Sequence, residues 1–195
     1  MKIGAIILAA GFARRFGSDK RLALLNGKSI AQTTLATYTE VFANVRVVLR
    51  PEDTELAERF APSAAPILAA KAHLGMGYSL AAGIAGVDWD WAFIGLADMP
   101  YIKQQTLSRL IQAAATSDRL VLRPQHHRHG PQSKEQPPHG HPIGFHKDLF
   151  PELAALTGDQ GARDILRNRQ NDIQELALDD PGITRDIDHR HDLLT

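Results

Sequence analysis

Ile3-Gly4-Ala5-Ile6-Ile7-Leu8-Ala9-Ala10-Gly11-Phe12-Ala13-Arg14-Arg15-Phe16-Gly17-Ser18-Asp19-Lys20 opens as a nearly continuous apolar run and closes as a basic, glycine-bearing segment. The run Ile3 to Ala9 has the length and character of a strand buried on both faces. Ala10 and Gly11 then carry little or no side chain, so backbone N–H groups can approach a phosphate or a base closely. Three cations follow within the loop, which suits a triphosphate carrying several negative charges. A Walker loop is excluded, because its Gly-Lys-Ser/Thr ending is absent. Taken alone, the segment also reads as an ordinary βα turn with solvated arginines.

Working outward, helical spacing over Ser29 to Phe42, with Ser29 as N-cap, predicts a helix. Val45 to Leu49 predicts a second strand and Pro51 to Phe60 a helix led by proline. Strands follow at Ile67 to Ala69 and Trp91 to Ala97, with a small-residue helix at Gly77 to Ala85 between them. A helix is expected over Gln104 to Ala115 and a strand over Leu120 to Leu122. Pro124 to Pro142, rich in proline and histidine, reads as a long loop inside the domain. Beyond it come a strand at Ile143 to Phe145, helices at Leu149 to Leu156 and Ala162 to Asn168, a strand at Ile173 to Leu178, and a short strand and turn in the tail Thr184 to Leu194. This alternation predicts βαβ units and a mostly parallel sheet covered on both faces.

Composition sets bounds. The 195 residues suffice for one sizeable core. Lys+Arg and Asp+Glu both number 22, so no whole-protein field favours nucleic acid or a membrane surface. Cysteine is absent, which excludes a disulfide scaffold, a thiolate zinc site and a thiol nucleophile. No apolar run reaches the ~20 residues of a membrane-spanning helix. The N-terminal run does not read as a signal peptide, because Arg14-Arg15 follow where a cleavage region is small and neutral. The expectation is one cytoplasmic domain over 1–195.

Other segments carry candidate chemistry. Asp98 ends an apolar strand, where open α/β sheets bind ligands, and its carboxylate suits Mg²⁺; by itself it also reads as a helix cap. Gly75-Met76-Gly77-Tyr78-Ser79 turns into a helix N-terminus. Gly158-Asp159-Gln160-Gly161-Ala162-Arg163 opens another helix beside an arginine, a potential anion site. Gly140-His141-Pro142-Ile143-Gly144-Phe145 and the terminal Asp186-Ile187-Asp188 complete the set. His126, His127 and His129 read as a solvated tract rather than a metal site.

Leu8-Ala9-Ala10-Gly11, Arg15, Gly17 and Lys20 at these spacings resemble the signature loop of nucleotidyltransferases related to sugar-nucleotide pyrophosphorylases. Ala97-Asp98-Met99-Pro100 resembles their Gly-Asp-Met-Pro. Gly75 to Ile84, Gly140 to Phe145, Gly158 to Arg163 and Asp186 to Leu193 are similar to segments of molybdenum cofactor cytidylyltransferases, a MobA-like branch. The departures are Gly77 for a serine, Ala97 for a glycine, and His189-Arg190-His191 for a Thr-Pro-Glu triplet. The resemblance implies a three-layer α/β/α, Rossmann-like fold and transfer of CMP from CTP to the molybdopterin cofactor. It implies Arg15, Lys20 and Asp98 as catalytic residues, and Leu8, Ala9, Ala10, Gly11, Lys20, Gly75 and Ser79 as nucleotide-binding. Gly140, His141, Pro142, Asp159 and Arg163 fall to the second substrate, and Asp98 and Asp188 to Mg²⁺. A molybdenum hydroxylase client is the implied partner. Ala10, where the guanylyl branch has glycine, points to CTP. The alternatives are a guanylyl or sugar-phosphate nucleotidyltransferase and a non-catalytic cofactor-binding chaperone.

Overall fold

The computed structural model describes residues 1–11, 16–126 and 137–193. In chain order the elements are β1 (Ile3–Leu8), β2 (Leu24–Leu25), β3 (Lys28–Ser29), α1 (Ile30–Thr39), β4 (Asn44–Leu49), α2 (Thr54–Phe60), β5 (Ala65–Leu68), α3 (Met76–Ile84), β6 (Trp91–Leu96), α4 (Gln104–Thr116), β7 (Val121–His126), β8 (Ile143–His146), α5 (Phe150–Ala154), α6 (Arg163–Asn168) and β9 (Ile173–Leu178). A seven-stranded sheet has the order β5-β4-β1-β6-β8-β7-β9. Six of its strands run the same way, and β8 alone is reversed, pairing antiparallel with both β6 and β7. No helix among the described residues is long and apolar enough to cross a membrane.

The apolar run of β1 is continuous because both of its faces are covered. Ala5, Ile7 and Ala9 pack into one core with α1, α2 and α4. Ile6 and Ala10 pack into the other with α3, α5 and α6. Side chains alternate across a strand, so one short segment serves two helix layers. Strand order departs in opposite directions from β1, toward β4 on one side and β6 on the other. That switch point opens a crevice beyond the carboxyl ends of β1 and β6.

Local signals set most boundaries. Ser29 and Gln32 form a reciprocal capping box on α1: Gln32 N–H donates to Ser29 Oγ at 3.3 Å and Ser29 N–H to Gln32 Oε1 at 3.1 Å. Helix α2 begins only at Thr54, because Pro51-Glu52 form a turn. The Asn26-Gly27 pair, with φ of 51° and 84°, closes the β2–β3 hairpin, which periodicity did not reveal. Strand β7 is longer than the expected Leu120 to Leu122 and runs through Pro124 to His126. Proline fits there because its carbonyl faces Gly140, whose N–H donates to it at 2.8 Å, while the neighbouring residues keep the β9 ladder. The expected helix Leu149 to Leu156 is a 3₁₀ turn at Lys147–Leu149 followed by the short α5.

The expected terminal strand is absent from the described residues. The tail forms 3₁₀ turns at Pro181–Thr184 and Arg190–Leu193, with an extended link between them. Buried Asp180 starts this return, accepting from Lys103 N–H (2.9 Å), Thr106 Oγ1 (2.6 Å) and Gly182 N–H (2.9 Å). The chain is thereby led back across the top of the sheet.

Candidate active site

The crevice holds a cavity of about 430 Å³ lined by residues from four places in the chain. Leu8, Ala10 and Gly11 come from the end of β1, and Leu96 and Asp98 from the end of β6. Ala72, His73 and Gly75 come from the turn into α3, and Met76 and Ser79 from its first residues. The size suits a small-molecule ligand. His73 was not singled out in the sequence. Its only signal there is its position two residues before Gly75.

Asp159, expected at the second substrate, also lines this cavity, beside the ends of β1 and β6. The cause is a close packing of two glycine turns. Gly77 N–H donates to Gly158 O at 2.8 Å. A Cβ at Gly75 would overlap the Gly158 carbonyl and come within 2.5 Å of Asp159 Oδ1. The turn at Thr157–Asp159 is thus a wall of the cavity, and only glycine at position 75 lets it close.

Asp98 is fixed by the backbone around it. Thr34 Oγ1, on α1, donates to Ala97 O at 2.9 Å, and Ile187 N–H donates to Asp98 O at 2.9 Å. Ile187 itself is fully buried with Phe16 and Ile30. With Ile187 turned inward, Asp186 and Asp188 share the opposite side of the extended link. Asp98, Asp186 and Asp188 each bring a carboxylate oxygen within 4.8 Å of the others. Asp98 Oδ1 is buried with no hydrogen-bond partner. A hard divalent cation takes such oxygens, so the donor set fits a metal ion. Asp186 joins the expected pair Asp98 and Asp188, and the Asp-Ile-Asp alternation carried that signal.

Lys20 reaches into the same cluster. Its Nζ lies 2.7 Å from Asp98 Oδ2 and 3.0 Å from Asp188 Oδ1, and donates to Ile187 O at 3.0 Å. Burial opposes the ammonium, but Asp98 and Asp188 outweigh it and hold the Lys20 pKa above the ordinary lysine value. Arg15 lies outside the described residues, as do His127 and His129.

Gly140, His141 and Pro142 do not line the cavity. They seat the tail that carries Asp186 and Asp188. His141 N–H donates to Ile183 O at 2.8 Å, and a Cβ at Gly140 would strike the Ile183 backbone. The His141 side chain is held at 3.3 Å from Ile94 O, which makes Nδ1 the protonated nitrogen. Burial pushes its pKa below the ordinary 6.5, against the opposing pull of Ile94 O, Asp98 and Asp186. The folded state therefore favours the neutral imidazole over the charged one. A depressed pKa means that the unfolded chain binds the proton first, so stability falls as pH drops below about 6.5. We expect His141→Asn, which keeps a donor toward Ile94 but cannot titrate, to flatten that part of a stability–pH profile measured by denaturant melts. An unchanged slope would remove His141 from the acid sensitivity.

Arg163 stands apart from the cavity. It lines a separate hollow with Arg123, Arg167, Gln170 and Glu175. Arg123 and His139 both bind Glu175 there, at 2.6 and 2.8 Å.

Comparison with known proteins gives this crevice its context. The purine catabolism protein PucB of Bacillus subtilis (strain 168) is 30% identical over 196 residues, covering 94% of this chain and 90% of its own length. A probable molybdenum cofactor guanylyltransferase of Geobacillus sp. (strain WCH70) is 29% identical over 117 residues, 58% of each chain. Among solved structures, Rv0371c of Mycobacterium tuberculosis H37Rv superposes with a TM-score of 0.79 at 22% identity, over 98% of this chain and 95% of that one. Its manganese complex gives 0.71 at 21% identity, over 91% and 89%. At such identities the structural likeness speaks for the fold alone. Residues 5–174 match the profile of the MobA-like NTP transferase domain. The span runs from β1 through Asp98 to the first residues of β9. The chain belongs to the family of MobA-like NTP transferase domains and is a nucleotidyltransferase.

Proposed function

We propose that the chain transfers CMP from CTP to the terminal phosphate of a molybdopterin-type cofactor, with release of pyrophosphate. The observation that carries the reading is the convergence of Lys20, Asp186 and Asp188 on Asp98, which lines a cavity together with Ala10 and Gly11. A phosphate oxygen of the acceptor attacks the α-phosphorus in line. The bond from that phosphorus to the bridging oxygen breaks, and pyrophosphate leaves with the electron pair. The nucleophile is already an anion, so no side chain needs to remove a proton. Positioning and charge neutralisation remain as the work of the protein.

The nucleotide lies against Leu8 to Gly11, Gly75 and Ser79, its phosphates toward Lys20 and Arg15. Asp98, Asp186 and Asp188 would hold Mg²⁺, which when bound neutralises triphosphate oxygens. Arg163 stays on the acceptor side, while Gly140, His141 and Pro142 act through the tail they seat. The molybdenum cofactor in one relative's name supports the acceptor class. A molybdenum hydroxylase client and a cytoplasmic location belong to the same reading.

The base is the finer point. The buried Ala10 methyl stands on the cavity lining where the guanylyl branch has glycine, and favours the smaller pyrimidine. The guanylyltransferase relative favours GTP as a second reading. A thermal-shift panel of four NTPs with Mg²⁺ tests this. At about 100 times its dissociation constant a ligand adds roughly 2.7 kcal/mol. We expect the largest shift with CTP. Equal shifts would remove the base preference, and a shift with GTP alone would replace CMP transfer by GMP transfer.

A further inference from the structure

Behind the signature loop lies a charged cluster built on Arg21 and Arg50, set apart among the described residues from Asp98, Asp186 and Asp188. Arg21 is buried, and its guanidinium binds both Asp19 and Asp53, with Nη2 to Asp53 Oδ1 at 2.8 Å and Nε to Asp19 Oδ1 at 2.9 Å. Arg21 Nη1 also donates to Ala9 O at 2.7 Å. Arg50, at the end of β4, donates from Nε to Ala10 O at 3.4 Å and from Nη2 to Gly11 O. Its backbone N–H donates to Asp53 Oδ2 at 2.9 Å, and its Nη1 stands 3.8 Å from Asp19. Three successive carbonyls of the loop, Ala9, Ala10 and Gly11, are thus taken by two guanidiniums.

Two physical effects could follow, and charge decides between them. The two arginines are matched by two aspartates, so the cluster adds little net field for a triphosphate. What it adds is direction. A trans peptide is planar, and its C=O and the next N–H point in opposite senses. With the carbonyls of Ala9 and Ala10 drawn toward the arginines, the N–H groups of Ala10 and Gly11 are turned away from them. Ala10 and Gly11 are also the residues of this loop that line the cavity. Arginine suits the task because its planar fork holds two acceptors at once, whereas a lysine ammonium offers a mobile point charge.

We infer that Arg50, braced by the Arg21–Asp19–Asp53 cluster, is a positioning residue that presets the Ala10–Gly11 backbone for the nucleotide. This rests on the reading of the cavity as the nucleotide site. Arg50 is the position to vary. Removing Arg21 would strand two acidic partners and endanger folding, whereas removing Arg50 leaves the Arg21 pairs in place.

The test compares Arg50→Gln and Arg50→Lys with the unaltered chain, using Mg²⁺–CTP and, in parallel, Mg²⁺–GTP. Nucleotide affinity, kcat, the Michaelis constant for the acceptor, and amide hydrogen exchange at Ala10 and Gly11 are measured. The expected result for both variants is at least a tenfold loss of nucleotide affinity. The kcat at saturation stays within about threefold, the acceptor constant is unchanged, and exchange at Ala10 and Gly11 is faster while β1 stays protected. Failure of lysine to rescue marks the fork rather than the charge. Affinity restored by Arg50→Lys would overturn the inference, as would exchange unchanged in both variants or a fall in kcat with affinity intact. If Arg50→Gln does not fold, Arg50→Lys and its exchange pattern decide. An unaltered chain that binds neither nucleotide would overturn the reading of the cavity itself, a result distinct from wild-type-like affinity in the variants.

Discussion

Asp98→Asn is expected to lower turnover by about 10³-fold, the scale of losing one preorganised electrostatic contact at a reacting phosphate or carbonyl, while the fold survives. The side chain keeps its shape and loses the charge that a divalent cation requires. Its structural ties are made by backbone, through Ala97 O to Thr34 and Asp98 O to Ile187 N–H, and these remain. Lys20 retains Asp188 and Ile187 O. The Lys20–Asp98 pair is mostly buried, but the amide still offers Lys20 an oxygen acceptor, so the melting temperature should fall only modestly. Pyrophosphate release at limiting Mg²⁺ and a thermal melt measure the two sides. Wild-type turnover in the variant would take Asp98 out of the metal cluster.

Gly75→Ala should damage both stability and nucleotide affinity. Gly75 has φ of 134°, where an L side chain is strained, at roughly 1–3 kcal/mol. The added methyl also meets the Gly158 carbonyl and Asp159, and overpacking of this kind costs roughly 1–3 kcal/mol more. Against a total stability of about 5–15 kcal/mol, the variant should still fold at low temperature. The wall carrying Asp159 must then shift away from α3, and CTP affinity should fall at least tenfold. A folded variant that binds CTP as tightly as the unaltered chain would show that the wall does not shape the nucleotide site.

The parts of this molecule legible in the sequence are those set by local rules. Strand β1 is visible because two helix layers demand an unbroken apolar run. Helix α1 is visible because Ser29 and Gln32 form a cap three residues apart. Asp98 is visible because strand ends at a switch point face the ligand crevice. The hairpin at Asn26-Gly27 had its signal too, but strands of two residues carry no periodicity. Asp186 was readable from alternation about Ile187, although only the buried position of Ile187 shows which side faces Asp98. The placement of Asp159 was not readable. It depends on two glycine turns, at 75–77 and 157–159, meeting across the fold, and neither turn encodes the other. The same holds for Arg50, which on the sequence is only the residue after a strand, and for Gly140 and His141, whose contacts with Ile183 seat the tail rather than line the cavity.

The most direct test of nucleotidyl transfer at this site is product formation. The chain is mixed with Mg²⁺, CTP and molybdenum-loaded molybdopterin, pyrophosphate is quantified, and the pterin product is weighed by mass spectrometry. The expected result is one pyrophosphate per acceptor consumed and a pterin heavier by one cytidylyl group (CMP less water), with both signals lost in Asp98→Asn. No pyrophosphate with CTP or GTP, from a folded chain and an intact acceptor, would contradict it.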